Sequence, residues 1–111
     1  YLDLKGRRIS VASAGHCPLL VGAPGQPIRE VALESFPLGI EAQGRYGEHS
    51  EPLSPGARVV LLTDGLIEAR NPEGDLMGMD STKACLAASI AAGHTAAATR
   101  DALVALPLRF L

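Results

Sequence analysis

Arg58-Val59-Val60-Leu61-Leu62-Thr63-Asp64-Gly65 is the stretch on which the reading of this chain turns. Four consecutive apolar residues, two of them β-branched, run into a polar Thr-Asp-Gly, and Pro55-Gly56 marks a turn just upstream. The pattern predicts a buried strand that leaves the core at Asp64 and enters a loop. The Asp64 carboxylate then has a structural reading and a functional one. Asp before Gly is a common turn pair, and Asp64 can cap a helix over residues 66–70 by accepting backbone N–H bonds. It also stands where a strand delivers a side chain to the surface, which is where site residues are placed.

Working outward, 111 residues are the size of one small domain, and 47% hydrophobic with 20% charged residues calls for a packed core. Aromatic residues make up only 4% and Trp is absent, so Leu, Val, Ile and Ala must build that core. A net charge of −2 and a pI near 5.9 give no basic footprint for nucleic acid. No apolar run is long enough to span a bilayer, and no charged-then-apolar leader pattern opens the chain. Cys17 and Cys85 have no metal-type spacing, and two free thiols fit an intracellular protein. The expectation is a soluble, cytoplasmic protein.

Upstream of the central strand, Tyr1-Leu2-Asp3-Leu4-Lys5, Gly6 and the alternating residues 7–14 predict a hairpin. In Ser13-Ala14-Gly15-His16-Cys17-Pro18-Leu19-Leu20-Val21, small residues precede His16, and Pro18 imposes an extended conformation ahead of a short apolar strand. His16 cannot serve as base to its neighbour Cys17, because adjacent residues of an extended chain face opposite ways. A turn histidine, a metal ligand and a substrate contact remain open for it. Ile28, Val31 and Leu33 mark a further strand, Phe36-Pro37-Leu38-Gly39-Ile40 a joint, and residues 41–52 a solvated strand or loop centred on Tyr46. His49 and its acidic neighbours there have no spacing that fixes a coordination geometry.

Downstream, residues 66–70 make one or two helical turns stopped by Asn71-Pro72-Glu73-Gly74. Asp80 or Ser81 is expected to cap a helix over residues 82–92, with Leu86 and Ile90 on one face and Gly93 as its stop. Thr95 caps a second helix from Ala96 to about Ala105, ended by Pro107. Both are alanine-rich and read as packing elements that lie across a sheet.

Four motifs in order carry a resemblance over nearly the whole chain: residues 13–20, Pro37-Leu38-Gly39-Ile40, residues 53–71 around Thr63-Asp64-Gly65, and Gly74-Asp75-Leu76-Met77-Gly78. Together they closely resemble the metal-dependent serine/threonine protein phosphatases of the bacterial SpoIIE-like branch. The resemblance implies an α+β fold, an α-β-β-α sandwich of antiparallel strands with flanking helices. At one end of the sheets aspartates would hold two Mn²⁺ or Mg²⁺ ions, with Asp64 as one metal ligand and Thr63, Gly65 and His16 adjacent to the site. A hard cation takes anionic oxygens, and metals of this kind activate a water that attacks phosphoserine or phosphothreonine without a protein nucleophile.

The same pattern includes Gly-Asp and Asp-Gly motifs upstream of all of these and an Asp-Asp-x-Thr strand downstream, and neither the upstream pair nor the downstream strand occurs here. Asp75 and Asp80 fall in a turn and a helix start and do not replace them. A strand at the first residue and the apolar close Leu108-Arg109-Phe110-Leu111 also point to a piece of a longer chain. The expectation is therefore a partial phosphatase domain, about half of one by usual domain size, metal-free and inactive alone. In a complete protein it would act on phosphorylated regulatory proteins of the anti-sigma-factor antagonist type, under an attached sensory domain. The competing expectations are a non-catalytic scaffold for protein binding or homodimer formation and, unrelated to the family, a small thiol or metal module at His16 and Cys17.

Overall fold

The computed structural model describes residues 1–12, 19–31 and 48–110. His16, Cys17, Tyr46 and the motif at residues 37–40 lie outside the described residues. The described chain forms six strands and three helices: β1 (Leu2–Asp3), β2 (Arg8–Ala12), β3 (Leu19–Gly22), β4 (Arg29–Val31), β5 (Glu48–Pro52), β6 (Arg58–Val60), α1 (Asp64–Ile67), α2 (Gly78–Ala91) and α3 (Ala96–Phe110). All strand pairings are antiparallel, and they give one sheet of order β1-β2-β5 and another of order β4-β3-β6. The α+β class expected from the sequence is the one observed.

The expected hairpin forms with Leu2 opposite Ile9 and Asp3 opposite Arg8. Its turn is closed by the Asp3 carboxylate, which accepts the Gly6 N–H at 2.9 Å. Alternation along β3 explains why the second sheet is covered twice. Leu20 packs with Leu62, Leu86 and Ile90 on the helical side. Its neighbours Leu19 and Val21 point the other way and are buried as well. Arg29, paired with Val21 on that second face, reaches Glu51 of β5, so the first sheet lies there. Ile9 and Glu51, opposite one another in the first sheet, are its buried inward pair. Arg8 and Ser50 stand on its other face, exposed to solvent. The layers thus run sheet, sheet, helix: the expected sandwich with a single helical side among the described residues.

Gly22 lies under the Ile90 side chain of α2: a Cβ there would lie 2.7 Å from Ile90 Cδ1 and closer still to Ile28 Cδ1, so a larger residue would make both isoleucine side chains shift. Lys83 of α2 adds a 2.7 Å ion pair to Glu30 of β4 on the same side.

Several element boundaries differ from expectation, α1 (Asp64–Ile67 where 66–70 was expected) among them. β6 stops at Val60 instead of running to Leu62, and Leu61 is 73% exposed. α2 begins at Gly78, a turn before the expected cap, with Met77 as N-cap and no side-chain cap bond, so neither Asp80 nor Ser81 caps it. The buried Met77 anchors this start in place of a polar cap. α3 continues through Pro107 to Phe110. Proline there removes one bond to a carbonyl a turn earlier, a loss confined to the last turn.

Thr95 does cap α3: its Oγ1 accepts the Ala98 N–H at 3.1 Å. Thr95→Ala should cost about 1 kcal/mol, seen as a lower urea midpoint at unchanged slope, while Thr95→Ser should restore most of it.

Candidate functional site

Past the end of β6, Leu62 turns back into the core and Thr63 takes an extended N-cap conformation (φ −102°, ψ 162°) without a side-chain cap bond. Asp64 is the first residue of α1, so it does not cap a helix beginning at Leu66. Its carbonyl accepts the Glu68 N–H at 2.8 Å, and Leu66 and Ile67 pack against the core cluster. The backbone of Asp64 is therefore pinned on both sides. Its side chain is exposed, and among the described residues no hydrogen bond or ion pair holds the carboxylate. Gly65 has ordinary backbone geometry, and a Cβ on it would meet only Thr63 Oγ1, at 3.7 Å, so the glycine keeps open space beside Asp64.

A groove of about 380 Å³ runs beside this junction, between the Leu61–Thr63 segment and the α3 residues Thr99, Leu103 and Val104. Arg58 lies along its floor, with Nη donors bonded to the carbonyls of Gly56 (2.8 Å), Ala57 (3.4 Å) and His94 (2.8 Å). Its Nε is buried without an acceptor among the described residues.

The other described carboxylates are spread over the fold, and several are engaged elsewhere. Asp75 receives the Asn71 side-chain amide at 3.3 Å, Asp101 pairs with Arg100 at 2.9 Å, and Glu30 is held by Lys83. Among the described residues no three of His, Cys, Asp and Glu come together as a metal group. A two-metal centre takes several carboxylates, so the described residues do not by themselves fit one. Cys85 is a half-buried free thiol on α2.

Glu51 is a feature that sequence reasoning missed. It receives both Arg29 guanidinium nitrogens, at 3.0 and 2.5 Å, and lies 2.8 Å from His49 Nε2. The Arg29 bonds, and then those of His49, hold the Glu51 carboxyl below its ordinary value of 4.5 despite its burial. Because the folded value is depressed, the stabilisation is complete above pH 4.5 and is lost as the pH falls through the folded value. Arg29 is 48% exposed, so the pair contributes only about 1–2 kcal/mol. Glu51→Gln should lower stability by that amount at neutral pH and flatten its acid limb, measured as urea midpoints from neutral pH down to below pH 4.

A two-sheet α+β sandwich with a carboxylate set at a strand-to-helix junction defines a layered, surface-site domain. The family model for Stage II sporulation protein E (SpoIIE) matches residues 1–109, and the chain belongs to that family. No curated protein and no solved structure matches it. Membership implies a phosphatase-related function. No helix among the described residues is long and apolar enough to cross a membrane.

Proposed function

We propose that this chain is part of a metal-dependent protein phosphatase that hydrolyses phosphoserine or phosphothreonine on regulatory proteins, with Asp64 as one metal ligand. The observation that carries the reading is the Thr63-Asp64-Gly65 junction inside a family match over residues 1–109: a pinned backbone presenting an unengaged carboxylate to open space. The remaining ligands of a Mn²⁺ or Mg²⁺ pair come from outside the described residues, and the chain is one portion of the complete domain. No step of the hydrolysis is assigned to its other residues. Substrates of the anti-sigma-factor antagonist type and an attached sensory domain belong to this proposal.

A second reading has its own observation. The open groove beside β6 and the exposed Leu61, Val104 and Leu108 suit a non-catalytic scaffold that binds a partner or a second copy. Phosphate release from a phosphoserine peptide by the natural protein that contains these residues, with and without Mn²⁺, separates the two. Metal-dependent turnover supports the phosphatase; none at any Mn²⁺ concentration leaves the scaffold.

A further inference from the structure

We propose that the tip of the β1–β2 hairpin and the loop that enters β6 form a docking surface for an acidic segment of another protein, which lodges an apolar side chain between them. This surface is separate from the Asp64 junction: residues 53–57 precede β6, whereas Asp64 follows it. Three of the ten Lys and Arg residues, Lys5, Arg7 and Arg8, fall within four positions of the hairpin, and all three are exposed. The hairpin's own acid, Asp3, is turned onto the Gly6 N–H. The ion pairs among the described residues use Arg29, His49, Lys83 and Arg100, so the hairpin cations have no carboxylate partner there. In a chain of net charge −2 they make a local excess of positive charge.

Arg7 also stands at a backbone position that suits glycine better, with φ 52°. Its carbonyl accepts the Leu53 N–H at 2.7 Å, which ties the hairpin to the loop without any use of the side chain. An arginine is therefore kept where the turn is strained by it and its guanidinium bonds nothing among the described residues. Beside it lies an open hollow of about 350 Å³, between Leu2, Leu4 and Arg7 of the hairpin and Leu53, Pro55 and Ala57 of the loop. That volume is of the size that takes a ligand or an anchoring side chain, and Leu4 on its wall is 80% exposed. Leucine and proline walls ringed by unpaired cations complement carboxylates set around an apolar anchor. A bilayer offers a flat surface that protruding apolar groups enter, and a hollow does not match it.

The test is fluorescence anisotropy of a labelled peptide of alternating glutamate and leucine, titrated with the natural protein that contains these residues and with its Arg7→Gly and Lys5→Glu variants. Matched peptides carry glutamine for glutamate or serine for leucine, and phosphatidylserine vesicles offer the competing surface. The expected result is saturable binding below about 1 mM, weakened at least about fivefold by either variant, by either peptide replacement and by added salt. Glycine suits the left-handed turn, so an unchanged or raised thermal midpoint for Arg7→Gly shows that a cation was lost and the fold was kept. No saturable binding, equal binding by the parent and both variants, or equal binding of the glutamine peptide overturns the proposal. Vesicle binding that the same variants abolish, with no peptide binding, assigns the surface to anionic lipid and overturns it as well.

Discussion

Asp64→Asn should reduce metal-dependent phosphoserine hydrolysis by the natural protein containing these residues by at least about 100-fold, with no change in fold. Losing a hydrogen-bond partner of a metal ligand already costs about 10–100-fold in affinity or activity, and losing the ligand's charge costs more. The structural expense is small. The carboxylate is exposed and engages no partner among the described residues, so only its favourable position in the first turn of a four-residue helix is lost. That is worth about 0.5 kcal/mol. Activity and thermal unfolding measured on the same preparation check both halves. Full activity in the variant would return Asp64 to the role of a surface turn residue.

Leu86→Ala should be the most destabilising single change among the residues considered. Leu86 is fully buried and meets Leu20 and Leu62 from the two sheet-side segments and Ile90 from its own helix. Truncation removes transfer energy and leaves a cavity among Leu20, Leu62 and Ile90. The expected loss is about 2–5 kcal/mol, against a total of about 5–15 kcal/mol for a domain of this size. Thermal unfolding should fall by roughly 10–20 °C. Leu108→Ala, at a 72% exposed position of α3, is the control and should move the midpoint by less than about 0.5 kcal/mol.

The parts of this fold that local chemistry decides were readable in advance. The hairpin of β1 and β2, the turn at Pro55-Gly56 and the Leu86–Ile90 face of α2 all follow from alternation, turn residues and helical spacing. The turn at Asn71 to Gly74 follows in the same way, closed by the Gly74 N–H to the Asn71 carbonyl. Boundaries set by packing were not readable: Leu61 and Leu62 look equally apolar, but only Leu62 finds the core, so the strand ends two residues early. The cap of α2 was misplaced for the same reason, since Met77 is held by burial and not by a polar side chain. For the site, the Thr63-Asp64-Gly65 motif was legible and its exposed, unpaired setting was not. The Arg29–Glu51–His49 network had no local signal at all. Arg29 and Glu51 are 22 residues apart and meet only because two sheets stack. Within residues 41–52, Glu51 looked like one more solvated acid.

Among the described residues β6 has no strand partner on the side away from β3, where Val59 and Val60 lie beside the exposed Leu61, and Arg58 is folded back onto carbonyls of its own chain. An open strand rim is a template for the same rim on another molecule. In concentrated solution these molecules should pair rim to rim, and because each rim is used up by its partner the product is a closed two-fold dimer. The concentration history of a preparation will then govern its behaviour as much as temperature does, and Leu61→Lys is the change that would make the rim inhospitable.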